Sequence, residues 1–171
     1  IEPAGGGPAL LTQTILVAPI NTYEEDTDNP SGGVGDYPPA VVDLSDVCGD
    51  YDVYTSKMVE ERVEVKEGDI LVIHTGYHHF GWDQPTADEI RYMVKHPGPD
   101  REFAEWCKAK KLRWLAVDCG SADHPMNTII RDWMPRQARQ AEKHFQKKYG
   151  KPLAEYFDDS KYQLMHIEMF P

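Results

Sequence analysis

The chain of 171 residues is 40% hydrophobic, 27% charged and 11% aromatic, enough to bury one ordinary core, so a single domain is expected. Eighteen basic residues against 29 acidic ones leave a formal net charge of −11 with no basic stripe to offset it, which argues against a nucleic-acid partner. The longest apolar run, Ile15 to Ile20, is far too short to span a bilayer, so no membrane insertion is expected.

The opening, Ile1 to Pro8, is a Gly/Pro stretch without periodicity and reads as loop. Leu10 to Ala18 (LLTQTILVA) is rich in strand-favouring residues. Asn21 to Pro39 combines an acidic run (Glu24, Glu25, Asp26, Asp28) with Gly32, Gly33 and Gly35. It reads either as a long arm at a subunit interface or as a solvated loop. Ala40 to Leu44 is an apolar run of strand length, and Ser56 can cap a brief helix through Arg62. Gly68-Asp69 then turns into Ile70 to His74 (ILVIH), a continuous apolar strand of the kind buried on both faces.

Thr86, with Glu89 three residues on, forms a capping box for a helix through Lys95, which His96-Pro97-Gly98 stops. Pro99 suits the first turn of a helix over Asp100 to Lys111, whose Phe103, Trp106 and Cys107 share one face. Leu112 to Val117 is another buried strand, ending in Asp118. Pro135 begins a basic-studded helix through Tyr149, closed by Gly150. Tyr162 to Phe170 (YQLMHIEMF) reads as a final strand. Strands alternating with helices predict an α/β fold: a layered mixed sheet with flanking helices. Residues 1–39 supply a strand and an arm, and residues 40–171 the domain proper. Cys48, Cys107 and Cys119 are odd in number, widely spaced and form no CxxC pair, which points to reduced, buried thiols in a cytoplasmic protein.

In such a fold the loops at strand ends are where a site is sought. Val117 to Arg131 (VDCGSADHPMNTIIR) delivers Asp118, then Asp123, His124 and Asn127. An imidazole with a carboxylate can bind a divalent metal, but Asp123 can equally cap the next turn while His124 braces the loop. His74 to Asp83 (HTGYHHFGWD) is the second candidate. Adjacent His78 and His79 do not share a face in a regular element, so one of them is expected to serve as a hydrogen-bond donor or acid–base group. Tyr77, Phe80 and Trp82 would wall an apolar pocket, or pack as an ordinary surface loop. His166 is either a ligand or a core histidine, His144 on the basic helix reads as solvated, and His96 as a turn residue. GxSxG, GxxxxGK[ST] and GxGxxG are all missing, so serine-hydrolase, phosphate-loop and dinucleotide readings lack their defining residues.

Gly68-Asp69 before a buried strand, Thr75-Gly76-Tyr77, Pro97-Gly98 before a helix and a strand ending in Asp118 to Asp123 occur in that order. This series resembles the cyclase family of metal-dependent hydrolases, to which kynurenine formamidase, isatin hydrolase and trans-dienelactone hydrolase belong. The similarity runs from about Tyr37 to Pro171. The family's N-terminal string His-x-Gly-Thr-His-x-Asp-x-Pro-x-His does not occur here, nor does its late Glu-Asn or Glu-Gly pair. The resemblance implies hydrolysis of an amide, lactone or ester of a small aromatic or cyclic substrate. It implies zinc or manganese, with the main ligands on an N-terminal segment or second subunit outside this chain. From this chain, Asp123 and His124 are expected at or next to the metal, His124 and His78 or His79 as catalytic groups, and Tyr77, Phe80, Trp82 and Asn127 against the substrate. A non-catalytic subunit of the same fold is the alternative. Strands buried on both faces need covering, so the chain is expected to be ordered only against another polypeptide and to assemble further as a homo-oligomer.

Overall fold

The computed structural model describes residues 18–19, 39–158 and 161–169. In chain order the elements are β1 (Ala18–Pro19), β2 (Ala40–Asp43), β3 (Val53–Tyr54), α1 (Ser56–Glu60), β4 (Ile70–His74) and β5 (Gly98–Pro99). They continue with α2 (Arg101–Ala109), β6 (Trp114–Val117), α3 (Ile130–Trp133), α4 (Pro135–Tyr149), α5 (Leu153–Tyr156) and α6 (Leu164–Met169). The fold is α/β. Its main sheet has the order β1-β6-β4-β2, with β2, β4 and β6 parallel and β1 antiparallel at the edge, a mixed sheet as expected. A second sheet, not anticipated from the sequence, pairs β3 with β5. The loop at Ile1 to Pro8, the Asn21 to Pro39 arm and most of Leu10 to Ala18 lie outside the described residues.

Period-two patterning sets the sheet's inner face. In β4, Leu71 and Ile73 are fully buried while Ile70, Val72 and His74 are half-buried, so this strand is sealed on one face rather than both. Helix α2 starts where Asp100 Oδ1 accepts from Phe103 N at 3.2 Å, an N-cap, and lays Phe103, Ala104 and Cys107 on the core. The Phe103 ring meets Tyr54 edge-on at 5.2 Å, joining the second sheet to α2. Helix α4 has the boundaries read from the sequence, with Gly150 in the left-handed conformation at φ 68°. Its Ala141 and Phe145 build a second cluster with Tyr51, Met126, Leu153 and Phe157. Cys48, Cys107 and Cys119 are buried free thiols, and burial pushes the Cys48 thiol up to about 12. Among the described residues no helix is long and apolar enough to cross a membrane.

Four local expectations change. In the segment expected as a final strand, Leu164–Met169 is helical, because Asn127 Oδ1 accepts from Leu164 N at 2.8 Å and Asp123 Oδ1 from Met165 N at 2.5 Å; Phe170 lies outside the described residues. Those side chains satisfy the first N–H groups of a helix, and a short apolar run does not distinguish the two forms by itself. Thr86 caps no helix; its Oγ1 donates to His79 O at 2.5 Å, and the helical turn that follows is a π turn over Arg91–Lys95. Thr55, not Ser56, caps α1. His144 is not solvated: its Nε2 lies 2.7 Å from Oδ1 of buried Asp52, which also meets Lys148 Nζ at 2.7 Å.

Candidate metal centre

β4 and β6 run parallel with Ile73 opposite Val117. The next residue of each, His74 and Asp118, therefore emerges beside the other at the carboxyl ends of the strands, where α/β sheets place ligands. The chain then turns sharply. Gly76 takes φ +80°, and a Cβ there would meet Ser45 Cβ at 3.3 Å, so conformation and space both call for glycine. A single 3-10 turn, Tyr77–Phe80, follows and returns His78 to Asp118.

Asp118 is the hub of this arrangement. Its Oδ1 accepts from Thr75 N at 2.8 Å and Thr75 Oγ1 at 2.6 Å. Its Oδ2 accepts from Gly76 N at 2.8 Å, and the Nδ1 atoms of His74 and His78 each lie 2.9 Å from that same oxygen. Burial pushes the Asp118 pKa up, but the hydrogen bonds from Thr75 and His78 and the charge of His74 outweigh it, so the net shift is downward. The carboxylate is ionised at neutral pH.

One donor atom from each of His74, His78 and Asp118 lies within 4.8 Å of the others, and among the described residues this is the one group of three or more His, Cys, Asp or Glu so placed. All three are half-buried, with side chains 16%, 26% and 16% exposed, so an ion can reach them. Two imidazoles and a carboxylate form a donor set that suits Zn²⁺ or Mn²⁺. The residues present fit a divalent ion.

The structure distributes the other sequence candidates around this point. His79 is exposed, its ring 4.0 Å from that of His78. Phe80 is half-buried beneath the Arg91 guanidinium at 4.1 Å, and Trp82 is 82% exposed. Tyr77 is buried, its hydroxyl donating to Asp50 Oδ1 at 2.7 Å. Asn127 is buried, its Nδ2 donating to Lys161 O at 3.0 Å; it also lines a cavity of about 320 Å³ with Arg101 and Lys161.

Asp123 and His124 do not converge with that triad or with each other on one ion. Asp123 turns to α6, where it accepts from Met165 N and pairs with His166 Nδ1, and that partner raises the His166 pKa. His124 is fully buried between Phe145 and Phe157, at ring distances of 5.7 and 4.6 Å. Its Nδ1 accepts from Met126 N at 3.1 Å, which leaves Nε2–H to donate to Tyr51 O at 3.2 Å. Burial holds its pKa down to about 3, so the ring is neutral and both nitrogens are engaged within the fold.

His74 and Asp118 are the centre's residues that sequence reasoning passed over. Each is a polar residue closing an apolar strand, a signal that becomes informative only once the two strands are known to be parallel neighbours. The family model described as "Putative cyclase" matches residues 18–124, a span that contains His74, His78 and Asp118. The chain belongs to the cyclase family. No curated protein and no solved structure gives a significant match.

Proposed function

We propose that this chain is part of a metal-dependent hydrolase acting on an amide, lactone or ester bond of a small aromatic or cyclic substrate, with a divalent ion held by His74, His78 and Asp118. The observation that supports it is the convergence of two imidazole nitrogens on one carboxylate oxygen at the carboxyl ends of two parallel strands. His74, His78 and Asp118 would hold a zinc or manganese ion, which would supply Lewis-acid polarisation of a carbonyl and a more acidic water. The chain's own residues do the rest. Thr75 and Gly76 hold Asp118 in one orientation, so the donor set is preorganised. His79, exposed beside His78, is placed to hold or move a proton at the substrate. The exposed face of Trp82 and the edge of Phe80 offer apolar surface to a ring-bearing substrate. In this reading Asp123 and His124 support the site from within the fold, and remaining ligands come from a second polypeptide or another segment of the enzyme.

The test is hydrolysis of a panel of aryl formamides, lactones and esters before and after chelation. Turnover that disappears with chelator, returns with Zn²⁺ or Mn²⁺ and is lost in His78→Ala supports the reading; chelator-resistant turnover contradicts it. One observation favours a second reading, a non-catalytic subunit of the same fold: Asp118 is already fully hydrogen-bonded by the chain itself. That reading expects neither metal nor turnover.

A further inference from the structure

The turn that presents His78 is only four residues long, Tyr77–Phe80, and both of its ends lead to one guanidinium. At the first residue, the buried Tyr77 hydroxyl donates to Asp50 Oδ1 at 2.7 Å, and Arg91 Nε donates to that same oxygen at 2.9 Å. At the last residue, the Arg91 guanidinium carbon lies 4.1 Å from the centre of the Phe80 ring. The circuit closes inside the turn, where the Tyr77 and Phe80 rings meet edge-on at 5.4 Å. Lys95 adds its charge to Asp50 at 3.7 Å. Arg91 itself opens the π turn Arg91–Lys95, a form of helix often found beside functional sites.

We infer that Arg91, acting through Asp50, Tyr77 and Phe80, is the positioning residue of the metal centre: it clamps both ends of the turn that carries His78 and so sets that imidazole against Asp118. The inference rests on the reading of His74, His78 and Asp118 as metal ligands. A buried tyrosine hydroxyl needs a partner, and here the partner is a carboxylate brought in from the loop after β2. The clamp thus ties the ligand-bearing turn to a separate part of the fold. His78 has no strand to fix it, unlike His74; Thr86 Oγ1 and Asp88 N hold the turn's carbonyls at His79 and Phe80, and the Arg91 cluster holds the side chains at both of its ends. Groups that orient a ligand without touching the metal typically contribute about 10- to 100-fold in metal affinity.

Zn²⁺ affinity, read by calorimetric titration of the full chain, tests this, with the absorption spectrum of the Co²⁺-substituted protein reporting the ligand field. Arg91→Gln and Tyr77→Phe should each weaken Zn²⁺ binding about 10-fold and alter the Co²⁺ bands, while Arg91→Lys, which keeps the charge but not the planar stack, should fall between. Variants that lower the melting temperature but leave affinity and spectrum unchanged would show a merely structural role and overturn the inference. If Tyr77→Phe fails to fold, Arg91→Gln decides alone, since it removes a half-exposed side chain. A wild-type chain that binds no Zn²⁺ overturns the ligand reading and the clamp with it; wild-type binding with unaffected variants overturns only the clamp.

Discussion

His74 and Asp118 stand side by side, Nδ1 of one 2.9 Å from Oδ2 of the other, because Ile73 and Val117 are paired in a parallel ladder one residue earlier. Forty-odd residues of intervening chain have no bearing on this closeness; register alone creates it. Any slip of β4 against β6 by one residue would turn His74 to the other face and dissolve the pair. The sheet therefore supplies two of the three donors as a rigid unit, and the third arrives on the turn after Gly76.

His124 separates stability from metal binding. It is wedged between Phe145 and Phe157 and bridges Tyr51 O to Met126 N. His124→Ala should cost about 2–4 kcal/mol in folding free energy, from the cavity and two orphaned backbone groups. Zn²⁺ affinity of the folded fraction should not move. Denaturant unfolding and metal titration of one sample check both; a lost metal site with intact stability would place His124 at the metal instead.

Gly98 is a position of contact rather than of conformation. A Cβ there would lie 2.3 Å from His124 Cα and 2.6 Å from His124 N. Backbone cannot step aside cheaply, so Gly98→Ala should destabilise by about 3 kcal/mol or more and prise β5 from the His124 loop. Chemical denaturation reads this directly, and a change under about 1 kcal/mol would mean the two segments are not packed as described.

Much of this organisation was legible in the sequence. Strand β4 and helix α4 were bounded correctly because an apolar run after Gly68-Asp69, and Pro135 with Gly150, are strong local signals. The ordered Thr75-Gly76-Tyr77 and Asp118 to Asp123 segments carried the family. Helix α6 is not legible locally because its cause is tertiary: Asn127 Oδ1 and Asp123 Oδ1, about 40 residues earlier, accept from its first N–H groups. The metal donors were only half visible for the same reason. His78 stood out among its neighbours, whereas His74 and Asp118 gain meaning from strand pairing that no local pattern encodes.

Asp118 and His166 contribute to the pH dependence with opposite signs. Asp118 has its folded pKa depressed, so its contribution is present above the unfolded value of about 3.9 and is lost as pH falls through the lower folded value. His166 has its folded pKa raised, chiefly by its hydrogen bond to Asp123, so its contribution is complete below about 6.5 and is lost as pH rises through the higher folded value. Melting temperature against pH should therefore decline on both flanks, and His166→Gln should flatten the alkaline one. An unchanged alkaline limb in that variant would contradict the pairing.

Trp82 offers the cleanest separation of substrate contact from folding. At 82% exposure its ring contributes little to the core, so Trp82→Ala should alter stability by less than about 0.5 kcal/mol. If its face meets the substrate ring, KM rises several-fold while kcat changes little. Equal KM values would remove it from the binding surface.

Whether His74, His78 and Asp118 hold an ion is measured most directly by equilibrium dialysis of the full chain against Zn²⁺, followed by metal analysis. The prediction is one ion per chain for the wild type and none for His74→Ala/His78→Ala, with the double variant still cooperatively folded because Thr75 and Gly76 keep Asp118 satisfied. Undiminished Zn²⁺ in the folded double variant, or none in the wild type, would contradict it.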